Sequence, residues 1–199
     1  MNKLNSSELL SIEEYLKVRE ERRKEIIALK KKRRIEVGPR ISFTFENRET
    51  VAYQIQEMMR VENITDEKKI QFEVDMYNDL IPDPGCLSAT LFIEIPESNQ
   101  VRDILDTFQG LDSPETVYMT VGKEKVFAKF EEGHSKEDRI SAVHYVRFCF
   151  SQDQASKFAE AQVEIQVNHP KYKASTALTS EQKEHLAKDL SQVSTIWLR

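Results

Sequence analysis

The chain has 199 residues, 39% of them hydrophobic and 32% charged, with 5 glycines and 6 prolines. That length points to one domain, and the composition excludes collagen, low-complexity disorder and a disulfide-dense scaffold. The net charge of −5 is unevenly placed, because residues 1–40 hold 12 basic against 7 acidic side chains and the rest of the chain is strongly acidic.

No run of about 18 apolar residues offers a membrane span, and the first residues lack the basic-then-apolar layout of a signal peptide. Cys86 and Cys149, 63 positions apart, form no CxxC and no framework. A reducing, cytoplasmic setting is the expectation.

In chain order, Ser11-Ile-Glu-Glu14 is a capping-box signature that opens a basic helix over 11–34, which Gly38-Pro39 keeps from continuing far. Ile12, Leu16, Arg19, Arg23, Ile26 and Lys30 share one face, so two arginines interrupt the apolar stripe. Such a helix packs at its ends and holds its centre with ion pairs. In 40–46, Ile41, Phe43 and Phe45 alternate with Ser42, Thr44 and Glu46, the pattern of a half-buried strand. Asn47 is a good N-cap for a helix whose inner side carries Val51, Ile55, Met58 or Met59, and Glu62. Thr65-Asp66 starts a second helix with Ile70, Val74 and Tyr77 inward, and Pro82, Pro84 and Gly85 mark a loop.

The second half alternates on a period of two over 87–95 and has a short helix near 98–108. A hairpin follows, 116–121 with 125–130, turning at Gly122. A long strand covers 140–150, a short helix 154–160, and a strand runs through Val163, Ile165 and Val167. Thr179-Ser-Glu-Gln182 caps a last helix. Strands without regular crossover helices define an α+β class. The expected architecture is a largely antiparallel sheet with a long N-terminal helix and a helical pair (about 48–79) packed on it. Residues 1–190 form the single domain, and 191–199 form a tail.

No Walker loop, GxGxxG, GxSxG, HExxH or paired CxxC is present. Glu131-Glu-Gly-His134 matches ExxH but contains Gly133, stands in a polar stretch and has no second copy, which favours a chance match. On the 140–150 strand, His144 falls on the apolar face, where burial favours the neutral ring. Such a ring serves as metal ligand, general base or satisfied core histidine. Glu62 continues the inward row of its helix, and a carboxylate there must be paired, protonated or ligating.

The candidate polar site is Glu46, Arg48, Glu57, Glu62, Glu94, His144 and Arg147, with a solvated surface or a structural ion-pair network as the alternative. Within it, Glu57, Glu62 and His144 are the possible metal ligands, a donor set that suits iron, manganese or zinc. No cofactor is demanded, and a divalent metal is the one compatible. His169 and His185 read as surface residues, and Cys86 as part of an exposed loop. The basic helix reads as a solvated face or a contact for an anionic partner. Nucleic acid is disfavoured, since no aromatic residues interleave with the basic run and the whole chain is acidic. Homo-oligomerisation stays open.

Several stretches resemble an uncharacterised bacterial family, domain of unknown function thirty-five-oh-one. They are Glu14-Tyr15, the basic run 19–34, Phe45-Glu-Asn-Arg-Glu-Thr50, Tyr53-Gln-Ile-Gln-Glu-Met58 and Tyr77-Asn-Asp-Leu-Ile-Pro82. Ala89-Thr-Leu-Phe-Ile-Glu94, Ser141-Ala-Val-His144 and Asn168-His-Pro170 continue the likeness to about residue 190. The resemblance implies gene neighbours that include a rubrerythrin-like protein and an iron–sulfur protein resembling a heterodisulfide reductase subunit. It therefore implies an accessory, non-enzymatic role in redox or peroxide metabolism, with those proteins as partners, and supplies no catalytic residues. A small metal-binding protein or enzyme built on the carboxylate/histidine set is the alternative.

Overall fold

In the computed structural model, residues 2–96, 98–131, 135, 136 and 139–191 are described. The Ser11 capping box forms: Ser11 Oγ accepts from the Glu14 N–H (3.3 Å), and Glu14 Oε2 accepts from the Ser11 N–H (3.0 Å). It opens α1 (Ile12–Arg33), in which only Tyr15, Ile26 and Arg33 are buried.

The helix runs straight into β1 (Arg34–Val37), which the sequence pattern had not separated from the helix end. A tight turn leads back into β2 (Ile41–Glu46). Gly38 holds φ +68 in that turn, and a Cβ there would stand 2.5 Å from the Tyr172 hydroxyl. Only glycine satisfies both conditions without displacing a neighbour.

Asn47 caps α2 (Arg48–Val61) and Asp66 caps α3 (Glu67–Asn78), so the helical pair forms where expected. The remaining elements in chain order are β3 (Cys86–Ile93), α4 (Val101–Thr107), β4 (Val117–Val121), β5 (Glu124–Phe127), β6 (Lys129–Phe130), β7 (Ser135–Lys136), β8 (Arg139–Ile140), β9 (Val143–Cys149), α5 (Gln152–Lys157), β10 (Val163–His169), β11 (Tyr172–Ala177) and α6 (Ser180–Leu190). The class is α+β, as expected. The long strand expected at 140–150 is split, with a break at Ser141-Ala142 between β8 and β9. β11 had no strong pattern, because its residues alternate only between partly covered and exposed.

All pairings are antiparallel, in a five-stranded sheet β1-β2-β3-β9-β6, a four-stranded sheet β11-β10-β4-β5, and the small pair β7-β8. The two large sheets bury their apolar faces in one core. Phe43, Phe45, Leu87, Leu91 and Phe148 come from the first sheet, and Val117, Met119, Ile165 and Val167 from the second. Phe148 packs between Phe43 and Phe45, with ring centroids 6.3 and 6.2 Å away. At one edge β5 continues through Ala128 into β6, so the chain passes from one sheet to the other. At the other edge, Tyr172 and Thr176 of β11 donate to the Val37 and Glu36 carbonyls of β1, at 2.5 and 2.7 Å. Leu186 and Leu190 of α6, with Phe108 and Leu111 after α4, join the same core.

A second, smaller core holds α2 and α3 on the other face of the five-stranded sheet. Val51, Ile55, Met59, Val74, Leu80, Ile81 and Leu4 form it, with Tyr145 packed against it. Strand β2 is therefore buried at all six positions, where the sequence pattern gave a half-buried strand.

One buried ion pair ties α1 to α6. Arg33 donates from Nε to the Phe45 carbonyl (2.7 Å), from Nη2 to the Glu46 carbonyl (3.0 Å), and to the Asp189 carboxylate. Burial pushes the Asp189 carboxyl up from its ordinary value, against the opposing pull of Arg33.

Candidate functional site

The polar face of the five-stranded sheet, together with the helices over it, carries most of the residues singled out from the sequence. Period-two geometry sends Glu46 to the side opposite Phe45, toward α2. There its Oε2 accepts from Thr50 Oγ1 (2.6 Å) and Gln54 Nε2 (3.0 Å), and its Oε1 from Thr90 Oγ1 (2.8 Å). Thr50 and Gln54 are four apart on α2, so both look down on the same carboxylate.

Arg147 stands on that sheet face in the same cross-strand row as Glu46, with Ser88 between them. It donates from Nη1 to Asp83 Oδ2 (2.8 Å), bonds the Asp79 carbonyl, and pairs with Glu131 at 3.5 Å. Arg48, at the first position of α2, pairs with Glu8.

Glu57 belongs to the seam between α1 and α2. Arg19 presents Nε (2.7 Å) and Nη2 (2.9 Å) to it as a fork, the Tyr15 hydroxyl donates at 2.7 Å, and Arg60 Nη2 donates at 3.0 Å. The Arg19 fork is the largest influence on Glu57 and holds its carboxyl down to about 2, against partial burial and with help from Arg60 and Tyr15. Burial first, and then the bond to Glu57, push the Tyr15 hydroxyl well above its ordinary range. The two arginines in the stripe of α1 had led us to expect ion pairs at its centre, and Arg19 forms one.

The other three residues lie elsewhere. Glu62 is exposed at the C-cap of α2, because the inward row passes through Met59 and the helix ends before the next turn completes it. Glu94 sits beyond the far end of β3, bonded to Arg34 Nη2 (2.5 Å) and Ser42 Oγ (2.6 Å). His144 is 1% exposed on the opposite face of the sheet, beside Leu91 in the register. Its Nε2 donates to the Ser141 carbonyl at 2.8 Å, and its ring meets the Phe130 ring edge-on at 5.7 Å.

The structure thus brings Glu46 and Arg147 to one face and sets Glu57 at a helix seam above that side. It does not bring Glu57, Glu62 and His144 together, because neighbouring residues of a strand point to opposite faces and the sheet itself separates His144 from α2. Among the described residues, no three His, Cys, Asp or Glu side chains are grouped to hold a metal ion. His134 of the ExxH match lies outside the described residues, as do residues 192–199 of the expected tail.

Two sequence expectations are corrected. His169 is 3% exposed rather than superficial: its Nε2 donates to the Gln109 carbonyl (2.9 Å), and its Nδ1 accepts from the Lys171 N–H (3.2 Å). Cys86 is not in an exposed loop but opens β3, opposite Cys149 on β9, and the two form a disulfide. The pairing of β3 with β9 spans 63 residues and intervening elements, so no local pattern reveals it. The same holds for Arg33 and Asp189, 156 residues apart. Sequence reasoning also passed over a cleft of about 440 Å³ lined by Gln109, Tyr118, Lys125, Phe127 and His169 among others.

Two facing antiparallel sheets, with helices laid on the outer side of the larger one, define a three-layer α+β protein in which Glu46, Arg48, Glu57 and Arg147 each have side-chain partners. The chain belongs to the family described as Protein of unknown function (DUF3501), whose model matches residues 3–190. It is similar to a crystal structure of a novel protein of unknown function from Burkholderia pseudomallei K96243. The two are 34% identical, with 95% of this chain and 100% of that chain covered and a TM-score of 0.88. No curated protein matches. Among the described residues, no helix is long and apolar enough to cross a membrane.

Proposed function

We propose that the chain is a non-enzymatic accessory protein of a redox or peroxide-stress system, docking onto an iron–sulfur or rubrerythrin-like partner through α1. The observation that carries this reading is the outer face of that helix. Ile27 is 48% exposed, and Arg23, Lys24, Lys30 and Lys31 stand three and four residues from it on either side, which surrounds it on the helix surface. These four cations form no ion pair with another described residue, whereas Lys17, Arg19, Arg22 and Lys32 are each paired with a carboxylate. An apolar centre ringed by uncompensated positive charge fits an acidic protein surface with an apolar socket. The family resemblance supplies the kind of partner, and the charge supplies the means of contact.

The test is an affinity capture from the native host at low salt, run in parallel with the wild-type chain and the double variant Ile27→Glu, Lys31→Glu. Recovery of the iron–sulfur or rubrerythrin-like protein by the wild type, with loss in the variant, is the expected result. Recovery of neither protein by the wild type, or equal recovery by both baits, overturns the proposal.

A further inference from the structure

Cys86 and Cys149 are direct cross-strand partners, with Cα atoms 4.1 Å apart. The Phe150 N–H donates to the Gly85 carbonyl (2.9 Å) just outside the pair, which makes this a non-hydrogen-bonded position of the ladder, where opposed side chains come closest. The bond is not what holds the strands together. β3 and β9 stay paired from Cys86↔Cys149 to Phe92↔Val143, and each has a further strand on its other edge. Opening the disulfide therefore leaves the ladder in place and the two sulfurs still facing each other, so closure needs no search by the chain.

The two sulfurs differ in access, since Cys86 is 9% exposed while Cys149 is exposed at the end of β9.

We propose that Cys86–Cys149 is a reversible two-electron thiol–disulfide exchange site for a small dithiol donor, and that Cys149 is the sulfur attacked first. One thiolate of the donor attacks Cys149 Sγ. A donor–Cys149 disulfide forms, the Cys86–Cys149 bond breaks, and Cys86 leaves as a thiolate that takes a proton from water. The donor's second thiolate then attacks its own sulfur in the mixed disulfide and releases Cys149, which takes the second proton. The donor is oxidised to its disulfide and the pair is reduced to two thiols. This site is separate from the docking face of α1, and neither proposal needs the other.

The experiment titrates the full-length native protein with dithiothreitol at graded ratios of its reduced and oxidised forms, counting free thiols by maleimide mass tagging while circular dichroism reports the fold. One reversible transition from zero to two thiols with the fold unchanged is expected. A pair that opens only when the protein unfolds, or thiols that stay open at every ratio, overturns the proposal.

The entry point is read separately with glutathione disulfide as the probe. Cys86→Ser should be capped at Cys149 at least about tenfold faster than Cys149→Ser is capped at Cys86, and equal rates remove the assignment of Cys149. Should either variant fail to fold, iodoacetamide labelling of the reduced wild type, read by peptide mapping, gives the same comparison of rates.

Discussion

The two faces of the five-stranded sheet are both buried and are built from opposite chemistry. Toward the second sheet, β2, β3 and β9 present Phe43, Phe45, Leu87, Leu91 and Phe148, each at 0% exposure. Toward the helices the same strands present Ser42, Thr44, Glu46, Ser88 and Thr90, none more than 6% exposed. The first face is stabilised by transfer of apolar surface and by close packing, which carry no orientation requirement beyond shape. The second gains little from transfer, and holds because each inward polar atom described above has a partner in place. One sheet therefore depends on volume on one side and on complete hydrogen bonding on the other, and substitutions should separate the two.

The largest effect is expected on the inner face. Phe148→Ala empties the space between Phe43 and Phe45, and the β3 ladder beside it limits collapse into the void. Urea unfolding should show a loss of about 3–5 kcal/mol, with the slope against denaturant unchanged. A loss below about 1 kcal/mol would mean the two sheets are not packed through this residue.

On the helix-covered face, Glu46→Leu keeps most of the volume and removes both acceptor oxygens. Thr50, Gln54 and Thr90 then lose the acceptor that all three share. The expected loss is about 2–3 kcal/mol, from unpaired donors rather than from a cavity. Glu46→Gln should lose less than about 1 kcal/mol, because the threonine hydroxyls can reverse and accept from the new amide. A face that depended on volume alone would tolerate leucine as well as glutamine.

This contrast also explains what could be read from the chain in advance. The period-two runs gave β2 and β3, and the Ser11, Asn47 and Thr179 caps gave the helix starts, because each of those signals is local. The inward direction of His144 was equally local and came out as expected. Its distance from Glu57 was not legible, since it depends on which face of the sheet the helices cover. Glu62 was misplaced by a single helical turn: Met59 completes the inward row and the helix stops before the next position. The Cys86–Cys149 and Arg33–Asp189 contacts follow from strand order and helix docking, to which no spacing in the sequence is sensitive.

The seam between α1 and α2 gives the smallest and most condition-dependent effect. Tyr15 and Ile26 are the buried apolar contacts of α1, so Glu57, with its fork from Arg19, is a large part of what seats the helix. The Glu57 carboxyl lies at about 2 in the folded protein and near its ordinary 4.5 when unfolded. A depressed value stabilises the fold fully above about pH 4.5, and that contribution is lost as pH falls through about 2. The side chain of Glu57 is 21% exposed and that of Arg19 23%, so solvent screening reduces the net contribution to about 1–2 kcal/mol. Glu57→Gln should therefore lower stability by that amount at pH 7 and leave it unchanged near pH 2. The acid limb of its stability profile should be correspondingly flatter than that of the wild type. Urea midpoints measured from pH 7 to pH 2 read this directly, and a pair of parallel profiles would show that the fork contributes nothing to the seating of α1.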